Sequence, residues 1–243
     1  MTDAFRERFM SELNLLSLKL EENQLNQFYK YFELLTEWNK FMNLTAIIEM
    51  DEVITKHFVD SLSLVKTVKD LGDKDYKIID VGTGAGFPGI PLKIAFSGLK
   101  ITLMDSLNKR VKFLNEVIDQ LELTDIQANH GRAEDMGRDP LYRETFDFCV
   151  SRAVANLSTL SEYCMPFVKV GGAFIPYKSG KIEEELNAAK HAVFLLGGKT
   201  ESVETFLLPG TDAERSLVTI RKNTETSKRY PRKAGMPTKE PLK

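Results

Sequence analysis

Residues 78–92, IIDVGTGAGFPGIPL, set Gly82, Gly84, Gly86 and Gly89 directly behind an apolar run. KIIDV at 77–81 has the character of a buried strand, and Pro88 or Pro91 suits the first turn of a helix through 92–96. Glycine adopts the positive φ that a tight turn needs and lets backbone amides approach a ligand closely. The segment therefore predicts strand, glycine loop and helix, the opening unit of an α/β sheet. Two spacings overlap in it, G-x-G-x-G and G-x-G-x-x-G, and the second is the one that receives a dinucleotide pyrophosphate at a helix N-terminus. A tight turn without a ligand could use the same glycines.

The rest of the chain fits that start. Ahead of the loop, 22–42 carries Leu25, Phe28, Phe32, Leu35, Trp38 and Met42 at steps of three and four, which predicts an amphipathic helix. A second helix is expected over 52–68. The polar stretch DLGDKD at 70–75 separates this helical N-terminal extension, 1–72, from a core over 73–222. In the core, strands and helices alternate: IIDV, PLKIAF, ITLMD, a helix from Asn108, IQANH, FDFCVS, a further helix, then GAFIPY and a helix over 181–196. Alternation of this kind predicts a mostly parallel sheet covered by helices. VETFLLP and RSLVTIRK, joined by a polar turn, predict an antiparallel hairpin that finishes the sheet. From Asn223 onward periodicity is lost and Lys228, Arg229, Arg232 and Lys233 accumulate, so 223–243 reads as a basic tail.

Formal net charge is −2, so any nucleic-acid partner must be met by such a local patch and not by an overall field. Cys149 and Cys164 stand in apolar surroundings without metal-ligand spacing, which predicts buried free thiols in a reducing compartment, with no metal. No apolar run reaches the ~20 residues of a membrane span, and a cytoplasmic location without membrane association is expected.

In an open α/β sheet, ligands gather beyond the carboxyl ends of the strands. Asp80, Asp105, Glu134 and Arg152 stand at four such ends. A carboxylate at Asp105 can accept both ribose hydroxyls of any adenosine cofactor, so it does not separate a nicotinamide dinucleotide from S-adenosylmethionine. Asp80, just before the first glycine, would repel a diphosphate but suits a sulfonium or ammonium charge. Glu134, in GRAED, can help define an adenine pocket.

The residues DVGTGAGFPGIPL from Asp80, DSLNKR from Asp105, GRAE from Gly131, SRAVA from Ser151 and RYPRKAG from Arg229 together resemble the RsmG (GidB) family, bacterial methyltransferases of 16S ribosomal RNA. NKFMNLTAI at 39–47 and HFVDSL at 57–62 extend the resemblance over nearly the whole chain. It implies a Rossmann-like class I methyltransferase fold and methylation of N7 of guanine 527 with S-adenosylmethionine. Carried onto matching positions, it implies that Gly82, Phe87, Ala133, Glu134 and Arg152 contact the cofactor, with Asp105 as the ribose partner; Asp80 and Gly84 belong to the same loop.

The chemistry asks little of the chain. SRAV stands where an amine methyltransferase would carry Asn or Asp before Pro-Pro-aromatic, and a Pro-Cys nucleophile is lacking. Guanine N7 needs neither, because its lone pair is free and no proton leaves; alignment is the main requirement. No catalytic side chain is singled out. A guanidinium donating to N7 would block the nucleophile, so Arg152 is expected on the cofactor side. His57 is expected to pack in the pocket wall. Lys109 and Arg110 at the pocket rim, with Lys228, Arg229, Arg232 and Lys233, are expected to hold phosphates of 16S RNA or of the small ribosomal subunit, the tail acting independently of the cofactor. A nucleotide-dependent oxidoreductase and a non-catalytic RNA-binding protein are the remaining readings.

Overall fold

A computed structural model of the chain describes residues 1–152 and 155–243. A 7-stranded sheet runs in the order β3-β2-β1-β4-β5-β7-β6. Its strands are β1 (Lys77–Val81), β2 (Lys100–Asp105), β3 (Ile126–His130), β4 (Phe146–Arg152), β5 (Val168–Ser179), β6 (Gly198–Leu207) and β7 (Glu214–Lys222). β1 to β5 pair in parallel, whereas β7 lies antiparallel between β5 and β6, so the expected hairpin joins the sheet through its second strand. β1 has β2 on one side and β4 on the other, which makes its carboxyl end the switch point where an α/β sheet opens a crevice.

Successive strand residues point to opposite faces. Ile78, Ile101, Leu103, Phe148, Val150, Ala173 and Ile175 pack into one core, and Ile79, Val81, Met104, Cys149, Phe174, Val218 and Ile220 into the other. Both cysteines are buried free thiols. The first core is shared with the N-terminal helices α1 (Asp3–Leu15) and α2 (Glu22–Met42), which therefore form a layer on the sheet. The charge-mixed N-terminus hides α1 from a sequence reading, although Phe5, Phe9 and Leu13 supply its buried stripe and Thr2 caps it. Its presence also turns α2: Tyr31 and Leu34 are buried, whereas Phe32 and Trp38 are only half-buried, Phe32 packing beside Phe5.

The expected helix over 52–68 is broken up. α3 (Met50–Val53) leads into a π-helical turn at Ile54–Val59, then α4 (Asp60–Leu62) and a 3-10 turn at Ser63–Lys66. The wider turn sends Phe58 into an aromatic cluster with Phe9, Phe28 and Tyr31, and it brings both His57 and Asp60 to Arg152. The remaining helices are α5 (Gly89–Ala95), α6 (Asn108–Gln120), α7 (Ala133–Met136), α8 (Leu157–Cys164), α9 (Glu183–Leu195) and α10 (Met236–Lys239). None of the described helices is long and apolar enough to cross a membrane.

Candidate functional site

The loop after β1 winds tightly, with Gly82, Gly84 and Gly86 at φ of 72°, 63° and 102°. The glycines serve different ends. A Cβ at Gly86 would collide with Ile90 and with the Tyr31 hydroxyl, while one at Gly84 would meet nothing within 4 Å. Gly86 thus permits packing, and Gly84 keeps open space in a cradle. Tyr31, from α2, donates to the Ala85 carbonyl and ties the helical layer to the loop.

Asp80 braces that loop from behind. It is fully buried, and its Oδ2 accepts from Thr83 Oγ1 at 2.6 Å and from the Gly89 amide at 2.9 Å. Oδ1 finds no partner among the described residues. Burial pushes the carboxyl up to about 6, against the pull of those two donors. Asp80 is absent from the walls of the cavities beside it, and its two hydrogen bonds place it behind the loop.

A cavity of about 410 Å³ opens over the loop between Thr45, Gly84, Phe87, Asp105, Arg110 and Arg152. A second, of about 300 Å³, shares Gly82, Asp105 and Ser106 with the first and continues over β2 and β3 to Ala133 and Glu134. Together they form one trough along the strand ends, with Asp105 at its middle. Asp105 is 2% exposed. Its Oδ2 accepts from the Gly84 amide at 3.0 Å and from Arg110 at 3.3 Å, and its Oδ1 from the Leu107 amide at 2.9 Å.

At one end of the trough the Phe87 ring stacks on His57 with centroids 4.4 Å apart, and the Arg152 guanidinium lies 5.1 Å from the Phe87 centroid. Arg152 also donates to Asp60 Oδ2 at 3.0 Å and contacts His57 Nδ1 at 3.2 Å. Nδ1 also lies 3.1 Å from the Lys56 carbonyl, and Nε2 lies 2.9 Å from Thr45 Oγ1, so both ring nitrogens have polar neighbours. Burial, then Arg152, hold His57 down to about 3. Asp60 accepts from Arg215 as well, at 3.1 Å, and a further cavity of about 370 Å³ lies beyond, between Asp60, Arg152, Tyr177 and Arg215. Sequence reasoning assigned no role to Thr45, Asp60 or Arg215; NLTAI and HFVDSL mark the first two as motifs, but nothing in Arg215's surroundings in the sequence sets it apart.

The trough therefore brings Gly82, Gly84, Phe87, Asp105, Ala133, Glu134 and Arg152 together. Of SRAVA, Ser151 and Arg152 end β4, while Ala153 and Val154 lie outside the described residues. Lys109 is exposed and reaches the Met42 carbonyl at 3.3 Å, beside Arg110.

The expected independent tail is instead docked. Arg232 grips Glu162, whose side chain is wholly buried, through Nε and Nη2. Arg138 and Arg143 donate to the carbonyls of Pro231 and Tyr230. The Gly235 amide donates to Glu134 Oε1 at 2.8 Å. Arg232 is thus committed to an internal pair, while Lys228, Arg229 and Lys233 stay exposed. His130 is exposed and bonded to the Ser106 carbonyl. The described residues hold no group of three or more His, Cys, Asp or Glu able to bind a metal.

The sequence model of the family described as rRNA small subunit methyltransferase G matches residues 24–218. A protein named ribosomal RNA small subunit methyltransferase G from Lachnoclostridium phytofermentans is 57% identical over 96% of this chain and 96% of its own length. One of the same name from Acetivibrio thermocellus is 52% identical, over 93% of this chain and 91% of its own. Among solved structures, a mutant of MtNAS in complex with S-adenosylmethionine aligns with a TM-score of 0.53 at 16% identity, covering 91% of this chain and 78% of that one. A putative sarcosine dimethylglycine methyltransferase from Galdieria sulphuraria aligns at 0.52 and 17% identity over 65% of each chain. These likenesses establish a Rossmann-like methyltransferase fold.

Proposed function

The chain belongs to the rRNA small subunit methyltransferase G family, and from that membership we propose that it methylates N7 of a guanine, guanine 527, in 16S ribosomal RNA with S-adenosylmethionine. The observation that carries the reading is the trough itself: a glycine cradle left open at Gly84, with a carboxylate at its middle and another at one end. That arrangement suits an adenosine bearing an amino acid, whose ribose hydroxyls can donate to Asp105. Asp105 takes the ribose, Ala133 and Glu134 border the adenine, and Gly82, Gly84, Phe87 and Arg152 hold the amino-acid end. Asp80 acts at one remove by fixing the loop. When bound, the cofactor supplies an electrophilic methyl group.

The titratable side chains over the loop are unsuited to removing a proton. His57 is kept neutral by burial and by Arg152 beside it, and Asp105 already accepts three hydrogen bonds. A guanine N7 loses no proton on methylation, so such a site needs only to align its reactants and exclude water. Lys109, Lys228, Arg229 and Lys233 are the cations that remain for RNA phosphates, with Arg110 at the rim. A ribosomal substrate places the protein in the cytoplasm.

The test is methyl transfer from labelled cofactor to naked 16S RNA, to intact small subunits and to assembly intermediates, followed by strand scission specific for 7-methylguanine. Label is expected at one guanine. Labelling that survives without 7-methylguanine scission, or no transfer to any of the three, would refute the proposal.

A further inference from the structure

The match to the family model ends at residue 218, yet Gly235 and Thr238 line the Glu134 half of the trough. We propose that residues 235–243 form a wall of the cofactor site and set its preference for adenine, an inference that rests on the S-adenosylmethionine reading.

Three observations converge on it. The Gly235 amide holds Glu134 Oε1, so the carboxylate is fixed in orientation and keeps acceptor capacity for a purine. A carboxylate oxygen attracts an exocyclic amine and repels a carbonyl oxygen at the same ring position, which favours adenine over hypoxanthine. Gly235 itself has φ of +82°, and a Cβ there would meet nothing within 4 Å, the same combination of turn and open space found at Gly84. Thr238 Oγ1 pairs with the Tyr163 hydroxyl at 2.8 Å, placing two hydroxyls on the cavity lining beside Glu134.

The wall is anchored on both sides of these residues. Arg232 neutralises the buried Glu162 upstream. Thr159 Oγ1 donates to the Pro237 carbonyl at 3.0 Å between them, and Ser158 donates to the Leu242 carbonyl downstream. Leaving Glu162 without its guanidinium would strand a buried charge, so the docked arrangement is the stable one.

Truncation after Ala234 separates this role from RNA capture, because it keeps Lys228, Arg229, Lys233 and the Arg232–Glu162 pair. Calorimetric titration of the full chain and the truncated chain with S-adenosylhomocysteine and S-inosylhomocysteine reads the wall directly. Affinity for S-adenosylhomocysteine is expected to fall about tenfold, the preference for adenosine over inosine to narrow, and cofactor-free RNA affinity to stay unchanged. Thr238→Val in the full chain, an exposed position whose replacement leaves the core intact, should also weaken binding of the adenosine compound. A folded truncated chain, or a Thr238→Val chain, with full-length affinity and preference would overturn the proposal. Failure of the full chain itself to bind S-adenosylhomocysteine would overturn the cofactor reading instead.

Discussion

His57 and Asp80 are both buried against the glycine loop, and burial moves them in opposite directions, because it disfavours whichever form is charged. His57 is held down to about 3, so as pH falls below the ordinary histidine range the unfolded chain takes a proton that the folded chain refuses, and stability declines. Nitrogen-detected NMR should show His57 neutral down to pH 5; an imidazolium signal at pH 6 would contradict its burial beside Arg152. Asp80 is pushed up to about 6, so the folded chain retains a proton that the unfolded chain loses between about pH 4 and 6. Stability from this residue is therefore highest below that window and falls as pH rises through it. Asp80→Asn removes that slope: its Tm at pH 7.5 relative to pH 4.5 should exceed that of the parent chain, and an unchanged pH profile would show that the carboxyl is not raised. At Asp105 the expected effect is on binding. Asp105→Ala should weaken S-adenosylhomocysteine by about 1.5–3 kcal/mol, the range for hydrogen bonds to a charged group, read by titration calorimetry; unchanged affinity would remove the ribose assignment.

The elements differ in how far they can be read from the residues alone. β1, its loop and α5 are legible because glycine and proline carry their backbone demands in their own chemistry. The parallel strands and closing hairpin are legible because apolar runs alternate with turn residues. α1 escapes notice because charged residues separate Phe5, Phe9 and Leu13, and its helical state depends on α2 and the π-turn to cover those rings. The π-turn is illegible for a related reason: what selects it is the contact of His57 and Asp60 with Arg152, more than ninety positions away. The same holds for the C-terminal segment, whose basic composition suggests a solvated tail while Glu162, one helix of another region, holds Arg232. That pair supplies a test at this scale. Arg232→Met should cost about 3 kcal/mol in urea unfolding, since it leaves Glu162 buried and unpaired, and Glu162→Leu beside it should restore most of the loss. A loss near zero in the single variant would mean that the segment is not docked through this pair.

In the whole molecule, the helical layer, the sheet and the C-terminal segment converge on one edge. Tyr31 and His57 reach the glycine loop from the N-terminal side, Gly235 reaches Glu134 from the C-terminal side, and the trough lies between them. On the proposed reading this edge supplies groups to hold the cofactor, and no proton acceptor is assigned there, which is the condition that a guanine N7 acceptor tolerates and an exocyclic amine does not. The residues that line the trough could be named from the sequence where they sit within the motifs of the family; the neighbouring groups Asp60, Arg215 and Tyr31 could not, because their contacts arise only from the packing of distant elements. The central claim is therefore chemical, and one measurement addresses it directly: methyl transfer to a small-subunit substrate in which the target guanine is replaced by 7-deazaguanine. That base keeps the Watson-Crick edge but puts carbon where the nucleophilic nitrogen stood. RNA binding should persist and methyl transfer to that nucleotide should vanish, whereas continued methylation of the deaza nucleotide would contradict the N7 assignment and require a proton acceptor in the site.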